Sequence, residues 1–265
     1  MQGSSHPSPA PLAESVVLIT GGTAGVGLAS ALKFAQAGVR KIALVGRDVA
    51  RGNHARDTVA SSSPDIEVCF LAGDANVAGE ALRFCETVHG RFGAIDVLVN
   101  STVGSAAPAL LHQIPLEDME RILFAQMMGP LLMSRAALPF MRQKGSGCII
   151  NVSSDAGKLA TPGESVIGAA MAGIIMFSRT MAIEAKRDGI RVNALTPSLI
   201  EGTLTHARMQ QDPFATKLFE KAKQAANLGV VLAEDMADFI VFLAGPQAAK
   251  ITGQAISING GISAA

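Results

Sequence analysis

A glycine-rich turn is the first part of the chain whose residue types and spacing indicate chemistry. Segment 20–27, TGGTAGVG, follows an apolar β-branched run and precedes a helical pattern. Glycines at a strand-to-helix turn let the backbone approach a ligand closely, and the free N–H groups that begin a helix attract phosphate. The spacing therefore predicts a dinucleotide site. The residues predicted to contact the cofactor there are Gly21, Thr23, Gly25, Val26 and Gly27.

Side chains that move protons or bind metals are scarce. The chain has no tyrosine, no tryptophan, five histidines and three cysteines. No mechanism that needs a phenol as acid or base can therefore use this chain's own residues. Cys69, Cys85 and Cys148 lie far apart and form no C-x-x-C pair, so neither a disulfide framework nor a metal site is predicted. We expect a reducing, cytoplasmic setting.

The composition and charge exclude several classes of protein. The 265 residues include 22 basic and 22 acidic side chains, and 49% are hydrophobic. A net charge of zero provides no basic field for nucleic acid or an anionic membrane, so we expect neither partner. Segment 1–14 is rich in proline and serine and lacks the regions of a signal peptide, which predicts a flexible tail. The apolar stretch 166–177 is too short to span a bilayer.

Short apolar runs alternate with helical patterns from residue 16 onward. This alternation predicts an α/β fold with a doubly wound, mostly parallel sheet and helices on both faces. Continuous apolar strands are typical of such a sheet, since both of its faces are covered. No change of composition interrupts the series, so we predict a single domain over 15–265. Predicted strands cover 16–20, 41–45, 66–71, 97–100, 148–152, 191–196 and 255–258. Predicted helices cover 25–37, 48–60, 79–92, 116–143, 165–187 and 234–243.

Two of the predicted helices are apolar on nearly every side. Segments 121–141 and 166–177 have almost no polar face, and a helix of this kind must be buried all round. In a single layer of helices over a sheet, only another chain can cover the outer face. We therefore expect an oligomer, with packing under a long loop of the same chain as the alternative.

Six ordered motifs carry a family resemblance from residue 15 to residue 263. They are the TGGTAGVG turn, Asp74, and the segments DVLVN (96–100), GCIINVSS (147–154), GIRVNALTP (189–197) and ITGQ…NGG (251–261). With these motifs the sequence resembles the classical short-chain dehydrogenase/reductase family. The resemblance implies a Rossmann-type fold with a seven-stranded sheet.

The resemblance also implies a catalytic tetrad of Asn, Ser, Tyr and Lys, of which one member is matched. The family's serine maps onto Ser154. Ile167 stands at the position of the tyrosine, Met171 at that of the lysine, and Gln126 at that of the asparagine. Neither a hydrocarbon nor a thioether transfers protons, so the family's usual reaction loses its acid.

For the cofactor, the resemblance implies NADP or NAD. Arg47 follows the second strand, where the family often places a basic residue for a 2′-phosphate, and this favours NADP. An arginine that lies at the surface without contacting the cofactor is an equally supported interpretation. Asp74 and Asn100 are the remaining residues expected beside the cofactor.

Together these features predict a catalytically inactive pseudoenzyme. We expect a subunit of a heteromeric NAD(P)-dependent alcohol dehydrogenase or ketoreductase, with a hydroxyacyl-type substrate as the expectation from the family's habits. Its partner is expected to be an active paralogue, bound through helices 121–141 and 165–187. One alternative is a cofactor-binding structural or sensing homo-oligomer. The other is an enzyme with a rewired site. Residues considered for such a site are His112, Asp155, Lys158, Glu164, Ser165 and His206.

Overall fold

The computed structural model describes residues 11–264, which form one sheet flanked by helices. The strands are β1 (Val16–Thr20), β2 (Lys41–Gly46), β3 (Glu67–Ala72), β4 (Val97–Asn100), β5 (Gly147–Val152), β6 (Ile190–Pro197) and β7 (Ala255–Ile258). The helices are α1 (Gly25–Gln36), α2 (Val49–Ala60), α3 (Ala78–Phe92), α4 (Leu116–Lys144), α5 (Ser165–Ala185), α6 (Leu204–Met209), α7 (Pro213–Ala225) and α8 (Ala233–Ala244).

All seven strands are parallel and lie in the order β3-β2-β1-β4-β5-β6-β7. Val17 of β1 is paired with Ile42 on one side and Val97 on the other. The strand order reverses between β1 and β4, and ligands of such sheets bind at the carboxyl ends of the strands beside this point. The predicted seven-stranded Rossmann-type fold is confirmed.

Each face of the sheet packs against its own helical layer. On one face, Phe84, Met133 and Met141 of α3 and α4 pack on Leu98 and Ile149. On the other face, α1, α2 and α8 cover the sheet, with Phe34 and Ile240 fully buried. Helices pack on both faces of the sheet, so the side chains on both faces of each strand are apolar. The strands therefore appear as continuous apolar runs in the sequence.

Most element bounds agree with the predicted ones to within a residue or two, but one region differs. Helices α6 and α7 occupy segment 198–228, where no element was predicted. Thr203 caps α6 by accepting a hydrogen bond from the His206 N–H, and Asp212 caps α7 through the Ala215 N–H. The predicted tail lies outside the described residues up to position 10, and Leu12–Glu14 forms a short 3-10 helix.

Helix α5 is long and apolar. Together with the 3-10 turn that continues it, it spans Ser165–Asp188 and meets the length and composition expected of a membrane-crossing helix, with 44% of its most apolar window buried. In this fold α5 packs against α4 and β6, and core helices often meet the same criterion. Its outward face, which includes Met176 and Ile183, is exposed.

Candidate active site

The glycine turn after β1 has the geometry of a phosphate cradle. Gly21 and Gly25 adopt positive φ angles of 68° and 50°. A Cβ atom on Gly27 would lie 2.3 Å from the Gly21 carbonyl oxygen, so only glycine fits there. The residue before α1, Ala24, provides no side-chain cap, which leaves the first N–H groups of α1 available to an anion.

The loop after β4 packs directly on this turn. A Cβ atom on Gly21 would lie 2.6 Å from the Ser101 carbonyl oxygen, and the Ser101 hydroxyl donates to the Thr20 carbonyl at 3.0 Å. Buried Gln126 holds the same loop by accepting a hydrogen bond from the Gly104 N–H at 3.0 Å. Gln126, predicted at the position of the family's asparagine, therefore links α4 to the loop beside the cradle.

The Asn100 side chain lies in a buried hydrogen-bond network. Its Oδ1 accepts from the Thr20 hydroxyl at 3.2 Å, and its Nδ2 donates to Asn151 Oδ1 at 2.8 Å. Asn151 in turn donates to the Ser178 hydroxyl of α5 at 2.8 Å. This network ties β1, β4 and β5 to α5. The Asn100 side chain therefore holds the carboxyl ends of these central strands together beneath the cradle.

Two arginines flank the end of the cradle near β2. Arg47 lies 3.9 Å from Asp74 and is largely exposed. Arg51, in the first turn of α2, donates from Nε to the Thr23 hydroxyl at 3.3 Å. Sequence reasoning missed Arg51, because its contact with Thr23 joins two segments that are 28 positions apart.

Ser154 lies at the carboxyl end of β5, where the chain approaches α5. Its hydroxyl accepts a hydrogen bond from the Ala156 N–H at 3.2 Å and so caps the 3-10 turn Asp155–Gly157. The contact with α5 is close: a Cβ atom on Gly157 would lie 2.7 Å from Ala172 N, and one on Gly168 would lie 2.7 Å from the Ala156 carbonyl oxygen. The 3-10 turn that Ser154 caps thus packs against the first half of α5.

An apolar cleft of about 200 Å³ lies next to this helix. Ile167 is in its wall, whereas Met171 is buried in a small cluster with Ala170 and Ile174. The loop that starts at Ser101 on the glycine turn reaches the cleft at Ala106. The residues lining the cleft are Ala106, Ala107, Ala109, Gln113, Ile114, Pro115, Asp118, Arg121, Ile122, Gly163, Val166 and Ile167.

Glu164 lies within the segment that forms one wall of this cleft. Gly163, Val166 and Ile167, which are close to it in sequence, line the cleft, whereas Glu164 is not itself a lining residue. Burial raises the pKa of its carboxyl group, and a hydrogen bond with Thr161 opposes the rise only partly. Because a raised pKa keeps a carboxyl group protonated closer to neutral pH, Glu164 has the chemistry of an acid.

A second polar cluster joins the loop after β5 to the chain end. Buried Asp155 accepts hydrogen bonds from Ser257 at 2.9 Å, Asn259 at 2.6 Å and Ser263 at 3.0 Å. The Lys158 ammonium lies 3.7 Å from the same carboxylate. Asp155 and Lys158 are therefore engaged with each other and with β7 and the segment after it.

The other considered residues lie apart from the cleft lining. His112 is exposed in the 3-10 turn Leu111–Gln113. The His206 ring accepts a hydrogen bond from the Gly202 N–H at 3.3 Å and stacks on Phe219. Among the described residues, no group of three or more metal-ligating side chains is present.

Comparison with known proteins identifies the family. The family model described as enoyl-(acyl carrier protein) reductase matches residues 21–263. The chain belongs to the short-chain dehydrogenase/reductase family. The crystal structure of levodione reductase matches it with a TM-score of 0.87 and 27% identity over 94% of this chain and 97% of that chain.

Two curated relatives show the same relationship in sequence. A 3-oxoacyl-(acyl-carrier-protein) reductase of Thermotoga maritima is 33% identical over 254 residues, which are 93% of this chain and 97% of the relative. A 2-(R)-hydroxypropyl-CoM dehydrogenase of Xanthobacter autotrophicus is 32% identical over 258 residues, which are 94% of this chain and 98% of the relative.

These relatives correct the functional expectation. The expectation of a catalytically inactive subunit in a heteromeric enzyme is wrong, because the short-chain dehydrogenases/reductases matched over nearly their whole length are oxidoreductases themselves. The names of these relatives give no support to a non-catalytic partner. The roles of the individual site residues stay predictions.

Proposed function

We propose that this chain is a nicotinamide-dependent oxidoreductase that interconverts a hydroxyl group and a carbonyl group on a small, largely apolar substrate. One observation carries the proposal: the phosphate cradle after β1 and the apolar cleft beside α5 are joined by the loop that packs on Gly21 and lines the cleft from Ala106. A cofactor held in the cradle would therefore extend toward the cleft along this loop.

The described residues fit a dinucleotide. The tight contact between Gly21 and Gly27 and the uncapped start of α1 suit a pyrophosphate. Arg47 and Arg51 would hold a 2′-phosphate, which favours NADP over NAD, while Asp74 lies next to Arg47 for the adenosine end. When bound, the reduced dinucleotide supplies the hydride for reduction of the carbonyl carbon.

The acid of this enzyme is not a tyrosine. The chain contains none, and the family resemblance places Ile167 and Met171 where the catalytic tyrosine and lysine would stand. The spacing of four puts both positions on one helix face, so this part of α5 is apolar. We propose that the chain is a divergent member in which the proton is supplied from elsewhere and Ser154 orients the substrate oxygen.

The substrate class follows from the cleft and the relatives. The names of the two relatives refer to substrates with a hydroxyl group or an oxo group on carbon, hydroxypropyl-CoM and 3-oxoacyl. Here most of the cleft lining is apolar, with alanine, isoleucine and valine side chains, and Gln113 is an uncharged polar residue of the lining. The charged residues of the lining, Asp118 and Arg121, pair with each other at 2.7 Å. We therefore propose a ketone or secondary alcohol with short apolar substituents.

Assembly with another chain of the same fold, through the surface of helices 121–141 and 165–187, is part of the proposal. Three large apolar side chains, Phe124, Met176 and Ile183, are 50%, 58% and 60% exposed on these helices. We also propose a cytoplasmic location, because the three cysteines are free and thiols stay reduced in that compartment.

The test is a titration followed by turnover. Calorimetry with NADPH and NADH should give heat for both and tighter binding of NADPH. A panel of small ketones with NADPH, and of secondary alcohols with NADP⁺, should then show absorbance change at the nicotinamide band. A chain that binds neither dinucleotide would contradict the proposal.

A further inference from the structure

We propose that Asn76 orients the Asp74 carboxylate toward the base of the bound dinucleotide, an inference that rests on the nicotinamide-dependent function proposed above. Asn76 is a positioning residue in this role, because its amide is bonded to protein groups at both ends and it acts through Asp74. The consequence is a preference for adenine over a base that lacks the exocyclic amino group.

The two oxygens of the Asp74 carboxylate have different surroundings. Oδ1 accepts hydrogen bonds from the backbone N–H and from the side-chain Nδ2 of Asn76, both at 2.9 Å. Oδ2 lies 3.9 Å from the Arg47 guanidinium, which is beyond hydrogen-bond distance. The Asp74 side chain is 35% exposed. Two donors on Oδ1 thus hold the carboxylate so that Oδ2 can accept a hydrogen bond from a ligand.

Asn76 is itself anchored on a buried part of α4. Its Oδ1 accepts a hydrogen bond from the Gly129 N–H at 2.8 Å, and both Gly129 and Pro130 are buried. A Cβ atom on Gly129 would lie 3.0 Å from Thr102 Oγ1 and 3.3 Å from Asn76 Oδ1, so the loops after β3 and β4 both approach the helix here. The Asn76 amide therefore holds Asp74 at a fixed position relative to α4.

Further contacts hold the main chain at Asp74. Its N–H donates to Glu80 Oε2 at 2.7 Å, and the Gly73 N–H donates to the Gly46 carbonyl oxygen at 3.0 Å. Because the main chain is fixed in this way, the direction of the carboxylate depends on the side-chain torsions of Asp74. The two donors of Asn76 restrict those torsions.

The Asp74 carboxylate lies on the adenosine side of the cofactor site. Strands β1, β2 and β3 are parallel neighbours, so the segments after β2 and β3 share one edge of the sheet with the glycine turn. A pyrophosphate at the start of α1 and a 2′-phosphate at Arg47 would leave the base near the loop after β3.

The chemistry of the base gives the preference its direction. The amino group of adenine donates hydrogen bonds, and an ionised carboxylate only accepts them. Hypoxanthine has a carbonyl oxygen in place of this amino group, and a carboxylate oxygen repels it. A carboxylate that is held in position by Asn76 therefore favours adenine.

The test compares binding of NADPH with binding of its counterpart that carries hypoxanthine in place of adenine. Calorimetry measures both Kd values, so the result does not depend on turnover. A hydrogen bond to a charged group corresponds to about 10–100-fold in affinity, and the wild type should prefer NADPH by about that factor. Asn76→Ala should weaken NADPH binding about tenfold or more and leave the Kd of the hypoxanthine counterpart nearly unchanged. Asn227→Ala, at an exposed position after α7, is the matched control and should keep the full preference.

A second variant separates the orientation of Asp74 from support of the fold. Asn76→Asp keeps an oxygen for the Gly129 N–H, but it replaces the amide donor that faces Asp74 Oδ1 with an oxygen. This variant should therefore lose the preference for adenine although its anchor on α4 remains. It also carries the test if Asn76→Ala does not fold. An Asn76→Asp variant that keeps the wild-type preference would contradict the proposed role of the amide donor.

The outcomes separate this inference from the proposed function. Equal binding of NADPH and its hypoxanthine counterpart by the wild type would overturn the role of Asn76 and leave the oxidoreductase standing. Weakening of both ligands by the same factor in Asn76→Ala would have the same meaning, because it would show that Asn76 supports only the fold. A wild type that binds neither dinucleotide would overturn both proposals.

Discussion

Gly27 faces the backbone of Gly21 so closely that a methyl group on it would lie 2.3 Å from the Gly21 carbonyl oxygen and 2.7 Å from the Ser101 hydroxyl. The start of α1, the turn after β1 and the loop after β4 thus meet at a position that has no side chain. The contact fixes the start of α1 against the ends of β1 and β4, and with it the direction of the free N–H groups.

Replacement of Gly27 by alanine should disrupt this cradle. The added methyl group meets backbone atoms, which cannot rotate away, and overpacking of this kind costs about 1–3 kcal/mol. We expect a lower thermal midpoint and loss of NADPH binding by calorimetry. Gly90→Ala in α3 is the control, since a Cβ atom there meets nothing within 4 Å, and this substitution should leave binding intact and stabilise the helix slightly.

Arg47, which follows β2, and Arg51, in the first turn of α2, should determine the preference for NADP. Charge-assisted hydrogen bonds contribute about 1.5–3 kcal/mol each, so Arg47→Ala and Arg51→Ala should each weaken NADPH binding by about 10–100-fold. NADH lacks the 2′-phosphate, and its Kd should change little. Equal loss of both cofactors would show that the arginines act on the fold instead of on the phosphate. Arg56→Ala, farther along α2, is the matched control.

The cluster around Asp155 should contribute strongly to stability. Asp155→Leu removes the acceptor of three hydrogen bonds and the carboxylate 3.7 Å from the nearly buried Lys158 ammonium. Breaking a buried pair from one side costs about 3–5 kcal/mol, which urea unfolding should detect. The double variant Asp155→Leu, Lys158→Met should recover part of this loss. Strictly additive effects would contradict a coupled pair.

The three cysteines should be inert in the folded protein. Burial raises the pKa of Cys69 to about 11 and that of Cys85 to about 12, and it also raises the pKa of fully buried Cys148. At pH 8 a thiol of pKa 11 is ionised in about one molecule in 1,000, and the thiolate is the reactive form. Ellman's reagent should therefore label all three only after unfolding. Rapid labelling of the native protein at pH 8 would contradict their burial.

The apolar surface of α4 and α5 should hold the assembly together. Met176→Glu places a charge among exposed apolar side chains, and burying it against a second chain would be costly. Sedimentation at micromolar concentration should show the wild type as an oligomer and this variant as a smaller species. Leu82→Glu, at a similarly exposed position of α3, should sediment as the wild type does.

The sequence predicted the sheet and its order of elements well. Each strand is a continuous apolar run because helices cover both faces, and the runs in β1, β4 and β5 could be recognised directly. The two helices within segment 198–228 were not predicted, since the mixed polar and apolar pattern of this segment has no clear helical period. Their caps, Thr203 and Asp212, and Pro213 at the start of α7 were the available signals.

The site was predictable only in its local parts. The glycine turn is a contiguous motif, so its conformation follows from the sequence. Asp155 and Asn259, by contrast, are separated by 104 positions and meet only because β5 and β7 flank β6. The burial of Glu164 depends in the same way on the packing of loops around the start of α5, which no local pattern reveals.

We propose that this chain, without any tyrosine, reduces a carbonyl group with a nicotinamide cofactor. The most direct measurement of this reaction is transfer of deuterium to a small ketone from NADPH that carries deuterium at both C4 positions of the nicotinamide, followed by mass spectrometry of the alcohol. Gly27→Ala is the cradle-deficient control. We expect one deuterium on the carbinol carbon with the wild type and none with Gly27→Ala. An unlabelled ketone recovered unchanged from the whole panel, despite tight NADPH binding, would contradict it.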